Sequence, residues 1–268
     1  MIGKICLVTG ATDGVGKVTA RVLAQQGATV IGVGRNPAKI KAVLAEIGDT
    51  PGSLEFMTAD LSSQAEVRAL AAEFLRKYDQ LHVLVNNAGA LFTSYHETID
   101  GIELTFALNH LSYFLLTNLL LDTLRGSAPA RIVNVASDAH ERGRIDFGDI
   151  NMRQHYNGWS SYGASKVANI LVTYELARRL EGTGVTANAV HPGWVATNFS
   201  NAAGLGQNPP LTPEEGADTQ IWLATSPEVD GVTGKYFVRR HDTHSSKYSH
   251  DQVVARQLWD VSAEMVGL

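Results

Sequence analysis

A chain of 268 residues with 44% hydrophobic and 18% charged content can bury a sizeable core and is too apolar to be a disordered segment. Its net charge of −5 and sequence pI near 6.0 argue against nucleic acid or an anionic membrane surface as a partner. Cys6 is the sole cysteine and sits inside the apolar run ICLV, so no intramolecular disulfide can form, and a buried strand residue is expected there rather than a nucleophile.

In chain order, MIGKICLVTG leads directly into a strand, without a charged n-region and h-region. The chain holds no run of 18 apolar residues, so a cytoplasmic protein without a membrane span is expected. KICLVTG, ATVIGVG, LEFMTA, LHVLVNNAG, ARIVNVAS, VTANAVHPG and KYFVRR read as strands. Helical patterns separate them: VGKVTARVLAQQ, PAKIKAVLAEIG, SQAEVRALAAEFLRKY, a long one around 102–124, one over 160–180, and EEGADTQIWLAT. Strands that are apolar almost throughout, alternating with helices, imply a mostly parallel sheet covered on both faces. The expectation is one doubly wound α/β domain over 1–268 with about seven strands. Irregular stretches fall at 138–160, at 194–213, read as a substrate lid that includes Gly204, Gly206 and Pro209-Pro210, and in a polar tail from 241.

TGATDGVGK, residues 9–17, follows the first strand and opens the first helix. Gly10, Gly14 and Gly16 let the backbone turn tightly and approach a pyrophosphate, which a helix N-terminus attracts. Thr12, Asp13 and Val15 belong to the same loop. At the end of the second strand, where NAD-binding folds usually place an acidic residue for the ribose 2′-hydroxyl, the chain reads Arg35-Asn36. A planar cation suits a 2′-phosphate, so NADP(H) is favoured over NAD(H); Asp13, near that phosphate, counts the other way. Asp60-Leu61 follow the third strand, where Asp60 can accept from an adenine amino group or cap the next helix.

Tyr162 and Lys166 lie at i and i+4 in SSYGASK and therefore share one helix face. Alone the pair carries little, because chance spacing produces such pairs. Taken with the other stretches, it resembles the short-chain dehydrogenase/reductase family across essentially the whole chain. TGATDGVG looks like that family's glycine loop, NNAG (86–89) like its fourth-strand segment, and NVAS (134–137) like its serine strand. YGASK (162–166) looks like its tyrosine–lysine helix, and HPGWVAT (191–197) like its proline–glycine–threonine segment. AHERGRIDFGDIN and SKVANILVTYELARRLEGTGVTANAVHPG look most like retinol-dehydrogenase-like members.

The resemblance implies a Rossmann fold and a carbonyl–alcohol oxidoreductase. It makes Tyr162 the proton donor or acceptor, its pKa lowered from a reference value of about 10 by Lys166 and by a positive nicotinamide. It makes Lys166 a holder of the nicotinamide ribose, Ser137 a donor to the substrate oxygen, and Asn109 the residue that holds a water in a proton relay. Asn87, Ala88, Gly89, Pro192, Gly193, Val195 and Thr197 would complete the cofactor site, Thr197 at the carboxamide. A small hydrophobic aldehyde, ketone or secondary alcohol is the implied substrate, with Leu91, Tyr156, Trp159, Trp194 and Phe199 as possible lining. A homodimer or homotetramer through the helices at 102–124 and 160–180 is likewise implied. A nucleotide-binding regulator without chemistry is the alternative, disfavoured because Ser137, Tyr162 and Lys166 are all present. No metal is expected: His241, His244 and His250 lie in a polar stretch read as a solvated loop, and His140 and His191 are read as packing residues.

Overall fold

The computed structural model describes residues 1–197 and 209–268, and strand and helix alternate through its first half. In order come β1 (Ile5–Thr9), α1 (Gly14–Gln25), β2 (Thr29–Gly34), α2 (Pro37–Ile47), β3 (Ser53–Thr58), α3 (Gln64–Lys77) and β4 (Val83–Asn86). Side chains start these helices at the expected places. Asp13 accepts from Gly14 N (2.8 Å) at α1, and Asn36 accepts from Ala38 N and Lys39 N at α2. Ser63 caps α3, so Asp60 is not the cap; Asp60 instead accepts from the amide and hydroxyl of Ser62 in a tight local turn.

The long helix expected around 102–124 is broken. Leu104–Phe106 (α4) runs through a π-helical turn, Ala107–Leu111, into Ser112–Leu119 (α5), and Leu121–Gly126 (α6) follows separately. Apolar periodicity continues across the break, which is why the sequence reads as one helix. β5 (Ala130–Val135), α7 (Gly158–Arg179), β6 (Val185–His191), α8 (Pro213–Thr225), β7 (Tyr236–Val238), β8 (His241–Asp242) and α9 (Gln252–Val266) complete the chain.

The sheet runs β3-β2-β1-β4-β5-β6-β7-β8, parallel throughout except for the antiparallel β7–β8 pair. The two-residue β8 makes eight strands where seven were expected. The largest core cluster lies between the sheet and α3, α5, α7 and α9; a second lies under α1 and α8. The sequence order reverses between β1 and β4, which opens a crevice at their carboxyl ends.

The stretch after 241 is not a free tail. Ser245, Ser246 and Ser249 are buried, and α9 lies along α7 with Trp259 edge-on to Phe114 (4.8 Å) and under the Arg179 guanidinium (4.3 Å). Every residue of α7 from Ser161 to Ala177 is buried within the single chain. Part of that burial is supplied by the chain's own C-terminal helix. No described helix is long and apolar enough to cross a membrane.

Candidate active site

The carboxyl ends of β1, β4, β5 and β6 face one cleft of about 880 Å³. Thr9, the last residue of β1, holds its floor: Thr9 Oγ1 accepts from Asn87 N (2.8 Å) and Ala88 N (3.0 Å), and Asn87 Nδ2 donates to Thr9 O (2.9 Å). This lashes the first loop to the fourth. The approach is so close that a Cβ at Gly16 would stand 2.4 Å from both Asn87 Nδ2 and Gly10 O. Gly10 has φ +68° and Gly14 φ +47°, and a Cβ on Gly14 would lie 2.6 Å from Thr197 Cγ2. The first turn of α1 is thus bare along the cleft wall, and its amides lack intrahelical acceptors. Such a surface fits a pyrophosphate, so the residues present fit a dinucleotide.

Gly10, Thr12, Asp13, Gly14, Val15 and Gly16 line this cleft, as do Arg35, Asp60, Leu61, Asn87, Ala88 and Gly89. Pro192, Gly193, Val195 and Thr197 line it from the far side, with Ser137, Tyr162 and Lys166 at its inner end. Asn36 does not; its amide oxygen is committed to capping α2. Cations near the end of β2 are matched by carboxylates: Arg35 Nη1 stands 3.7 Å from Asp60 Oδ2, and Lys39 Nζ 3.9 Å from Asp13 Oδ2. Lys39 escaped the sequence reading; it stands in the first turn of α2, just past Arg35, and does not itself line the cleft.

Tyr162 and Lys166 share the inner face of α7, where Lys166 Nζ lies 5.5 Å from the centre of the Tyr162 ring. Lys166 is 2% exposed, and burial drops its pKa to about 7. Its ammonium donates to Val135 O (3.1 Å) at the end of β5. Burial pushes the Tyr162 phenol above its usual value; a hydrogen bond with Ser137 opposes this, and nearby Asp138 adds to it. The protein's own groups therefore leave this tyrosine a phenol at neutral pH, opposite in direction to the lowering expected from the lysine.

Ser137 Oγ also donates to Asp138 Oδ1 (3.0 Å) and accepts from Ala139 N (3.2 Å), capping the short turn that follows β5. Behind it, His140 is buried, with Nδ1 2.7 Å from Ser137 O and Nε2 accepting from Ser246 N (3.0 Å). That arrangement pins the serine turn to the C-terminal segment. His191 Nδ1 accepts from Asp138 N, and burial lowers its pKa. His140 is buried behind the serine turn, whereas His191 is only partly buried and lines the cleft. In the polar stretch, Ser245 joins Tyr174 to His250, which stacks on exposed His244. No cluster of metal-ligating side chains occurs among the described residues. Cys6 is wholly buried, its thiol pushed up to about 12.

Asn109 does not line the cleft. Its side chain is fully buried in the π-helical turn, accepting from Ala90 N (2.8 Å) and donating to Ala90 O (2.9 Å) and Ser165 Oγ (3.0 Å). Leu91, Phe92, Trp159 and Trp194 give the cleft mouth an apolar rim, with Trp159 edge-on to Tyr162 (6.1 Å). Tyr156 instead faces inward, donating to Phe92 O (2.8 Å). Phe199, Gly204 and Gly206 lie outside the described residues. The ends of the expected lid are tied together by Ala196 N donating to Leu211 O (2.8 Å).

The comparisons with known proteins agree with this geometry. The family described as short chain dehydrogenase matches residues 4–208. The chain belongs to the short-chain dehydrogenase/reductase family. A human protein named "Retinol dehydrogenase 14" is 45% identical over 100% of this chain and 88% of its own length. Among solved structures, an uncharacterized protein from Mycobacterium Paratuberculosis is 33% identical with a TM-score of 0.84, covering 99% of this chain and 94% of that one. A short chain dehydrogenase from Burkholderia cenocepacia J2315, in complex with NADP, is 27% identical with a TM-score of 0.72, covering 88% and 96%. The chain resembles the retinol-dehydrogenase-like branch and is an NAD(P)-dependent dehydrogenase acting on CH–OH groups.

Proposed function

We propose that this dehydrogenase prefers NADP(H) and interconverts an apolar aldehyde or ketone with its alcohol, with Tyr162 as the proton donor or acceptor. The observation that carries the reading is the meeting of Ser137, Tyr162 and buried Lys166 at the inner end of a glycine-floored cleft with an apolar mouth. When bound, the reduced dinucleotide would supply the hydride, and its oxidised form would accept it in the reverse direction. Ser137, turning its hydroxyl away from Asp138, donates a hydrogen bond to the substrate oxygen, where negative charge grows during reduction. Tyr162, held as a phenol, gives that oxygen its proton; in the reverse direction it takes the proton from the alcohol. Lys166 supports the tyrosine electrostatically and reaches for the ribose hydroxyls of the nucleotide. Arg35 meets the 2′-phosphate, assisted by Lys39, and Thr197 contacts the carboxamide. The apolar rim and the name of the human relative, "Retinol dehydrogenase 14", favour a bulky hydrophobic substrate.

The test follows NADPH and NADH oxidation in parallel on apolar aldehydes and ketones, all-trans-retinal among them. Turnover that favours NADPH is expected. Tyr162→Phe should cost about 10²- to 10⁴-fold in turnover while cofactor binding persists. Full activity in that variant sinks the proton-donor role, and no turnover with either cofactor sinks the reading as a whole.

A further inference from the structure

Lys166 is braced from behind by a buried chain of polar side chains that none of the roles above uses. Asn169, three residues further along α7, donates from Nδ2 to two main-chain carbonyls, Asn109 O (2.9 Å) and Val135 O (3.2 Å). Val135 O is the same oxygen that accepts from Lys166 Nζ. With its amide nitrogen on two acceptors, Asn169 has Oδ1 left to accept, and His110 Nδ1 stands 3.3 Å from it. His110 Nδ1 therefore carries the proton, and its Nε2 accepts from the Ser262 hydroxyl (2.9 Å) on α9. Asn169, His110 and Ser262 are all at most 2% exposed, so each of these groups would be left without water if its partner were lost.

The order of donors along this chain holds only for a neutral imidazole, and burial keeps His110 neutral by pulling its pKa down to about 4. Asn109 and His110 both belong to the π-helical turn Ala107–Leu111. That turn swings the backbone so that the Asn109 side chain holds Ala90 while the Asn109 carbonyl faces Asn169. π-turns recur at functional sites.

We infer that Asn169 and His110 are positioning residues for Lys166, and that α9 is through Ser262 the back wall of the active site. The inference rests on the proposed role of Lys166. Asn169 fixes the carbonyl that orients the ammonium, His110 fixes Asn169, and Ser262 fixes His110. The C-terminal helix is on this account part of the catalytic framework, besides covering α7.

The titratable groups that face Lys166 are Tyr162 on its own helix, Tyr113 of α5 (5.8 Å from ring centre to Nζ) and His191 at the end of β6; His110 stands behind Asn169. The experiment compares wild type with Asn169→Leu, His110→Leu, His110→Asn and Ser262→Ala. The first readout follows the titration of Lys166 by NMR in protein labelled at the lysine Cε, assigned by its loss in Lys166→Arg; it needs no substrate. Removing the brace leaves the ammonium less well held, so its midpoint should fall in Asn169→Leu and His110→Leu. It should recover in His110→Asn, which keeps a donor toward Asn169. The second readout is turnover with NADPH, where Asn169→Leu should lower kcat by about tenfold or more with KM little changed.

An unmoved Lys166 midpoint in both leucine variants overturns the proposal, as does a recovery pattern that follows thermal stability alone. A wild-type enzyme that turns over nothing defeats the functional reading, yet the titration still decides this one.

Discussion

Lys166 is an ammonium below about pH 7 and an amine above it, since burial has taken its pKa down that far. Carbonyl reduction that needs the ammonium is therefore fully supported on the acid side and declines as pH rises through about 7. Lys166→Arg, which cannot lose its charge in this range, should move that decline to higher pH whatever it does to the maximal rate, measured as a pH profile of kcat. Arg35 tests the other end of the cleft. Its side chain is 67% exposed and already 3.7 Å from Asp60, so its contact with a 2′-phosphate is screened, and the lower end of a charge-assisted hydrogen bond applies. Arg35→Ala should weaken NADPH about tenfold and NADH hardly at all, read by fluorescence titration of each cofactor; equal losses refute the phosphate role.

Among the elements, the first loop and α1 were the most legible, because glycine spacing answers to local steric needs. Gly16 has to be glycine for a reason the spacing alone does not reveal: a Cβ there meets a main-chain oxygen that cannot swing away. Gly16→Ala should destabilise the fold by about 1–3 kcal/mol and remove cofactor binding, checked by thermal denaturation and NADPH titration. The π-helical turn was illegible, since residues 102–124 keep a helical apolar period on both sides of it. The extra residue in that turn is justified only by partners on other elements, Ala90, Ser165 and Asn169. Asp60 and Asn36 show the same limit from the other side. Each has the right chemistry for a ligand or a cap, and only the neighbouring amides decide which role the side chain takes.

Over the whole molecule, α9 joins the C-terminus to the centre. Trp259 is 9% exposed between Phe114 and Arg179, so Trp259→Ala should cost about 3–5 kcal/mol, read from the denaturant midpoint. Ile99, 90% exposed, provides the control: Ile99→Ala should stay within about 0.5 kcal/mol of wild type. The stretch from 241 onward looked like a tail because its first ten residues are polar, yet three of its serines are buried against α7 and His140. Polarity predicts exposure only where no buried partner awaits, and those partners stand far away in the chain.

Sequence alone determined the doubly wound sheet, the glycine floor and the pairing of Tyr162 with Lys166, because each follows from a period or a short spacing along one element. Tertiary structure alone decided the charge states and the bracing. Burial, which depends on everything packed around α7, lowers Lys166 and raises Tyr162. The buried chain from Ser262 through His110 to Asn169 joins residues up to 152 positions apart, and the covering of α7 by α9 needs the whole chain folded. Spacing is a property of a segment, whereas desolvation and long-range hydrogen bonding belong to the assembled core.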